Sequence, residues 1–492
     1  MLLTCNLIFA RLKPIFFEDI AMIGRKKELQ RFKEAMESDQ SEFIAVYGRR
    51  RVGKTFLIRQ AFANRFTFAH TGVARESMAG QLANFHDSLV EYGSEDCPVP
   101  ETWLEAFRRL KKVISGSKEA RKVVFIDEMP WMDTPRSNFT AALEHFWNGW
   151  ASARNDVVLI VCGSATSWII NKVIHNKGGL HNRVTGKIHL RPFTLAECEE
   201  YADARHLGMS RSQVAEAYMV LGGVPHYWSF LRKDASLAQN IDRMFFSEDG
   251  ELKDEFYELY ASLFKRKEPY EAIVTALAGK KSGMTRDEIV VAAKTANNGR
   301  LTERLAELEQ CGFIRSFHVV GACASAIVYQ LMDSFTIFHF NFIVNNKRHS
   351  EVFWSSSLGS PMYNAWRGLS FERLCLQHVG KIKEAIGIGG VDAEVGCWRH
   401  VADERYPHGA QIDLVIDRAD NVVDLCEMKC TDSPYRVTDT DMADLKRKCD
   451  AYRTVTRTKK SIHTLLVSAN GTEPGMYRNE INCEVTLDAL FA

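Results

Sequence analysis

The sequence predicts an α/β protein of several domains, on three observations. Three short apolar runs, Phe43–Tyr47, Val123–Ile126 and Val157–Cys162, read as strands of a buried parallel sheet, and each runs into a glycine or polar segment. Helical patterns followed by two strand patterns fill the middle, from Pro269 to Leu331. A further strand pair, Gly409–Asp417 and Val422–Lys429, lies in the last third.

Length and composition fit that picture. The 492 residues are 46% hydrophobic and 25% charged, which excludes a mainly disordered or collagen-like chain. At about 100–200 residues per domain, the length suggests roughly three domains. No apolar run approaches the ~18–20 residues of a membrane span, so no membrane partner is expected. The formal net charge of +1 gives no whole-chain argument for nucleic acid. Twelve cysteines stand without a CxxC pair, the pattern of a cytoplasmic protein with free thiols and no structural zinc. Leu2–Ala10 is apolar but lacks a basic segment before it and a cleavage site after it. Met22 is therefore read as the natural start, and residues 1–21 as a non-native or disordered extension.

The first strand runs into Gly48-Arg49-Arg50-Arg51-Val52-Gly53-Lys54-Thr55, a match to GxxxxGK[ST], and a helical pattern follows at Phe56–Phe62. In that setting the loop's backbone amides close around phosphates at a helix N-terminus. Lys54 is expected to reach the β- and γ-phosphates, and Thr55 to hold Mg²⁺. ATP and Mg²⁺ are thus the expected cofactors. Asp127-Glu128 ends the second apolar run, at the strand end where open α/β sheets bind ligands. Asp127 is expected to hold Mg²⁺ directly or through water, and Glu128 to polarise the attacking water. Ser164, after the third run, either bonds the γ-phosphate or its water or is a turn residue. Arg183 follows Lys177-Gly-Gly-Leu-His-Asn and either stabilises charge on the γ-phosphate, in cis or across a subunit contact, or is a surface arginine. Pro225, in Leu221-Gly222-Gly223-Val-Pro225, belongs to a nucleotide-facing turn or a simple break between helices.

These segments, together with Gly24-Arg25-Lys-Lys-Glu28-Leu29, Cys162-Gly-Ser-Ala-Thr-Ser-Trp168, Gly178-Gly-Leu-His-Asn-Arg183 and Gly222-Gly-Val-Pro225, resemble the prokaryotic archaeal-type ATPases of the AAA+/STAND group. The resemblance implies an ASCE-type P-loop sheet with a helical lid, then a winged helix. It places Gly24-Arg25 by the adenine and brings Gly222–Pro225 to the nucleotide from the lid.

Pro269–Ala278 has helical spacing, Thr285-Arg-Asp-Glu288 is a capping box, and Leu301, Leu305 and Leu308 share one face of a third helix. With strands at Gly312–Phe317 and Ala326–Leu331 this reads as a winged helix-turn-helix. Arg300 and Arg304 suit DNA contact, but Glu303, Glu307 and Glu309 on the same helix oppose it. The four phenylalanines of Phe335–Phe342 read as core, and the polar stretch 346–360 as a linker.

In the last third, Ala419-Asp420-Asn421 suits a three-residue hairpin loop with Asn421 left-handed. Counting outward sets Asp413 opposite Glu427, with Lys429 on the same face as Glu427. Facing carboxylates repel unless a cation intervenes, which Mg²⁺ with oxygen ligands supplies. Lys429 is then placed to activate a water for attack on a phosphodiester. The pattern resembles the PD-(D/E)XK nuclease superfamily, a restriction-endonuclease-like α/β fold, with Asp413, Glu427 and Lys429 as catalytic residues and Glu372 as the acid of its first helix. Ile412 stands where the proline of the motif name belongs. Seven basic residues between Leu445 and Lys460 face one acid, Asp450, and suit phosphate contact.

The expected domains are a P-loop ATPase domain with lid at 22–240, a winged helix at 241–345, a linker at 346–360 and a nuclease-like domain at 361–492. The expected function is an ATPase whose nucleotide state regulates a Mg²⁺-dependent DNA nuclease-like module, with DNA and either a second copy or a regulatory protein as partners. The alternative is a STAND-like ATP-driven switch whose C-terminal domain binds a partner or DNA without cutting it.

Overall fold

The apolar runs of the first 191 residues are strands because both of their faces are covered. In this computed structural model, β1 (Glu42–Tyr47), β2 (Phe68–Thr71), β3 (Lys122–Asp127), β4 (Val157–Gly163) and β5 (Gly186–His189) form one sheet in the order β2-β3-β4-β1-β5. Every pairing in it is parallel. Phe43, Ala45, Val124, Ile126, Leu159 and Val161 face a core completed by helices Met78–Glu91, Trp103–Gly116 and Phe139–Gly149. Their neighbours Ile44, Val46, Val123, Phe125, Ile160 and Cys162 face a second core under helices Lys26–Glu37 and Lys54–Ala61. Because β4 separates β1 from β3, the C-terminal ends of β1, β4 and β3 stand side by side.

The structure describes residues 22–95, 97–175, 178–264, 266–318, 327–404 and 406–492. The expected extension 1–21, Lys177 and Ala326 lie outside them. One compact unit ends at Arg191 and a second starts at Pro192. Residues 192–240, expected as a lid within the ATPase domain, thus belong to the second unit.

That unit contains helices Glu268–Ala278, Arg286–Ala292 and Gly299–Gln310 and an antiparallel sheet. The sheet consists of β6 (Met284–Thr285), β7 (Ile314–His318) and β8 (Ile327–Leu331), ordered β6-β8-β7. Thr285 and Glu288 form the capping box, and Leu301, Leu305 and Leu308 are buried. The stretch 346–360 differs from the expected linker. It contains a helix, Phe353–Ser357, and its Trp354 is fully buried against Phe338, Phe342 and Trp366. Asp242 accepts a hydrogen bond from the Trp354 amide at 2.9 Å. One large aromatic outweighs a polar neighbourhood in deciding burial.

The C-terminal sheet comprises β9 (Ala393–His400), β10 (Ala410–Arg418), β11 (Val422–Lys429), β12 (Ser461–Ser468) and β13 (Cys483–Thr486). Its order is β13-β12-β11-β10-β9, antiparallel from β9 to β11 and parallel from β11 to β13. Helix Pro361–Gln377 lies against β11, and helix Asp439–Thr456 against β9 and β10. Among the described residues no helix is long and apolar enough to cross a membrane.

Two buried histidines set an acid limit on stability. Burial holds His70 and His339 down at about 4. His70 Nδ1 lies 2.9 Å from Ser88 Oγ, and His339 stacks on Phe256 at 4.1 Å. In the unfolded chain both imidazoles protonate near the ordinary 6.5. Between pH 6.5 and 4 the unfolded state therefore binds more protons. The stability they permit is fully present above pH 6.5 and is lost as pH falls toward 4. Denaturant unfolding at neutral and mildly acid pH should record that fall, and a profile flat across the window would refute it.

Candidate nucleotide site and a C-terminal carboxylate cluster

The loop after β1 is shaped by its first glycine. Gly48 has φ +144°, and a Cβ there would meet Leu190 O at 2.2 Å, so only glycine fits. Lys54 opens helix Lys54–Ala61 and is 6% exposed. Its ammonium donates to Gly48 O at 2.9 Å and Arg49 O at 2.8 Å. Val52 and Arg49 are buried, and Arg50 and Arg51 half-buried. Thr55 Oγ1 donates to Asp127 Oδ2 at 2.7 Å, joining the loop to the end of β3. A hydroxyl and a carboxylate in contact suit Mg²⁺, a hard ion that takes oxygen ligands, and the amides at the helix start suit phosphates. The residues present thus fit Mg²⁺-ATP, and the ion, when bound, neutralises phosphate charge.

Glu128 leaves β3 with φ +46°. Both its carboxylate oxygens accept from Ser164 Oγ, at 3.0 and 2.9 Å, and Asp127 Oδ1 accepts from the Glu128 amide at 2.8 Å. Ser164 follows directly on β4. Trp168 Nε1 donates to Asp133 Oδ2 at 2.9 Å, tying the segment after β4 to the one after β3. Beneath the acids, burial pushes the Cys162 thiol well up and Asp127 adds to the effect, so Cys162 is an inert core thiol. Lys54, Thr55, Asp127, Glu128 and Ser164 are therefore brought together. Arg25 has φ +59° and its guanidinium donates to Arg191 O at 2.9 Å.

Two expected residues are not part of that contact network. Arg183 is exposed, and its amide donates to Leu180 O in a turn. Pro225 starts the helix Pro225–Trp228 in the second unit. There the Gly223 carbonyl accepts from the Phe193 amide at 2.6 Å, and a Cβ on Gly223 would meet Phe193 O at 1.9 Å. Backbone contact inside its own unit accounts for this glycine.

In the second unit, Ala419–Asn421 joins β10 to β11 with Asn421 at φ +65°. The ladder runs from Asp417↔Val423 to Leu414↔Cys426, the register obtained by counting outward from that loop. It stops one pair short of Asp413 and Glu427. On the β9 side, β10 shifts register between Ile412 and Val415, and such irregularities re-aim the local side chains. Asp413 Oδ1 accepts from Gln411 Nε2 at 2.6 Å. Glu427 meets Lys448 at 2.8 Å and Lys429 at 3.2 Å. Lys429 lies 3.8 Å from Asp441, and Lys448 3.1 Å from Asp444. Burial, then Asp413, then Glu427 push Glu372 up to about 7, so the three acids share one electrostatic neighbourhood. As placed they do not make a divalent-ion site: among the described residues no group of three or more His, Cys, Asp or Glu could hold a metal ion.

Lys448 escaped the sequence reading as a partner of Glu427. Its signal was the i,i+4 spacing from Asp444 inside the basic run. Four of its seven basic residues are paired with carboxylates outside the run. Lys446 pairs with Glu480, Arg447 with Asp444, Lys448 with Glu427 and Lys460 with Asp417. On the third middle helix Arg300 is exposed and Arg304 half-buried, while Glu309 accepts from the amide and hydroxyl of Ser316, each at 2.6 Å.

Residues 22–230 match a family described as an ATPase domain predominantly from Archaea. Over those residues the chain is similar to that family's ATPase domain. Over 442 residues the chain is 24% identical to an uncharacterized protein of Methanocaldococcus jannaschii, covering 87% of this chain and 91% of the relative. Similar solved structures include a Walker-type ATPase of Pyrococcus abyssi, at 17% identity and TM-score 0.45, covering 66% of this chain and 97% of that one. The ORC2 protein of Aeropyrum pernix is 14% identical with TM-score 0.40, over 69% of this chain and 98% of that one. A STAND protein with a tetratricopeptide repeat sensor from Pyrococcus horikoshii is 17% identical with TM-score 0.30, over 75% of this chain and 56% of that one. Within the first unit, the ends of β1, β4 and β3 carry the loop, Ser164 and the Asp127-Glu128 pair.

Proposed function

We propose that the chain hydrolyses ATP at Lys54, Thr55, Asp127 and Glu128, and that its nucleotide state governs a C-terminal nuclease-like module acting on DNA. Glu128 is the base that polarises water, Ser164 positions it, and Arg183 meets the γ-phosphate. Residues 241–345 are read as a winged-helix domain and 361–492 as the nuclease-like domain. What supports the nuclease reading is the coupling of Glu372 to Asp413 and Glu427, with Lys429 3.2 Å from Glu427.

The Glu427 carboxylate is engaged by two ammonium groups, an arrangement that suits a regulated module. The same ion pairs favour the second reading, a STAND-like switch whose C-terminal domain binds DNA or a partner protein without cutting. The deciding experiment incubates the full chain with linear, circular and single-stranded DNA, with Mg²⁺ or Mn²⁺, with and without ATP. Cleavage that requires ATP supports the regulated nuclease. DNA binding without cleavage under every condition supports the switch.

A further inference from the structure

Among the described residues, two arginines of the second unit have no carboxylate at ion-pair distance. Arg373, on helix Pro361–Gln377, is 4% exposed. Its Nε donates to Leu331 O at 3.2 Å and its Nη2 to Lys281 O at 2.5 Å, while Nη1 is buried without a hydrogen-bond partner. Ser370 Oγ, one turn earlier on the same helix, is likewise buried and unpartnered. Arg315, on β7, donates to Gln330 Oε1 at 2.9 Å, and Gln330 Nε2 donates to Lys281 O at 2.9 Å. The Lys281 carbonyl thus ties both arginines into one network.

Burial pushes Arg315 down to about 10, and the neighbouring Arg373 charge pushes the same way, while Asp413 pulls back. Burial also lowers Arg373, with Glu372 and Asp413 pulling back, yet neither forms an ion pair with it among the described residues. Lys281 is exposed and has no ion pair there either, whereas its neighbour Lys280 is matched by Glu288 at 2.6 Å. Lys281, Arg373 and Asn341 line a cleft with apolar walls that include Leu331 and Leu369.

Buried like charges without a counter-ion are costly, and a guanidinium fork matches the oxygens of a phosphate. We propose that Arg373, Arg315 and Lys281 form a binding site for the phosphate group of a small anionic ligand, where the three-stranded sheet meets helix Pro361–Gln377. Arg373 is too well covered for a continuous nucleic-acid backbone to reach it, so a free or terminal phosphate is the occupant. This site stands whether or not the C-terminal acids cleave DNA, because it is read by binding alone.

The test is thermal unfolding of the full chain carrying Lys54→Ala, which removes phosphate binding at the ATPase loop. Inorganic phosphate is titrated at constant ionic strength against chloride. The melting temperature should rise with phosphate. Adding Lys281→Ala, an exposed change that leaves the fold intact, should demand about fivefold more phosphate for the same rise. Arg373→Lys, which keeps the charge and loses the fork, should weaken binding at least as much; if that chain does not fold, Lys281→Ala decides alone. No rise, or an equal rise in every chain, would overturn the site. Competition by a 5′-phosphorylated oligonucleotide but not by its 5′-hydroxyl form supports a terminal phosphate. Equal competition by both overturns the small-ligand assignment.

Discussion

Glu128→Gln should leave ATP bound within a few-fold and slow its hydrolysis by about 10²–10⁴-fold, the range of a lost general base. The amide has the size of the carboxylate and still meets the Ser164 hydroxyl, which contacts both Glu128 oxygens. It lacks the negative charge that draws a proton from water. Lys54→Ala should act at the other end of the reaction. Its ammonium is nearly buried and held by the loop's own carbonyls, where it is placed to trade those carbonyls for phosphate oxygens. That variant should lose binding first. A fluorescent ATP analogue reads binding, and single-turnover hydrolysis reads the chemical step. Wild-type hydrolysis by Glu128→Gln would place the base elsewhere. Because Ser164 engages Glu128, hydrolysis by the unpartnered wild-type chain should also be slow.

The candidate nucleotide site was legible because each part of it is local. A fully buried strand writes itself as an unbroken apolar run, so β1, β3 and β4 stood out, with the glycine loop and Asp127-Glu128 at their ends. Asn421 and the three-residue loop were legible for the same reason, since turn geometry fixes register on its own. What long-range packing decides was hidden. The four residues of β5 carry no periodic signal, and the order β2-β3-β4-β1-β5 leaves no trace in chain order. Polar composition hid Trp354, whose partners Phe342 and Trp366 lie on either side in sequence. The basic run looked like a phosphate surface because Glu480, Asp417 and Glu427 reach it only through folding.

Asp413→Ala and Lys429→Ala should each abolish DNA cleavage by the ATP-bound chain while leaving ATP hydrolysis unchanged. The two sites share a design: the carboxylate assigned to the chemistry is already engaged at rest, Glu128 by a hydroxyl and Glu427 by two ammonium groups. Removing Asp413 deletes an acid that forms no ion pair among the described residues, where its side chain accepts from the Gln411 amide. Removing Lys429 deletes one of the two clamps on Glu427 together with the group assigned to activate water. A lysine that merely held Glu427 in place would be dispensable, because Lys448 remains at 2.8 Å. Lys448→Ala supplies the contrast. It frees Glu427 from the closer clamp and keeps Lys429, so cleavage should persist and lean less on ATP. Gel assays of the three variants on one DNA substrate, with ATP turnover measured in parallel, separate these roles. Loss in Asp413→Ala and Lys429→Ala with activity kept in Lys448→Ala identifies a working site. Equal cleavage by all of them would trace it to a contaminating nuclease, and the ion-paired Glu427 would then belong to a domain that binds without cutting.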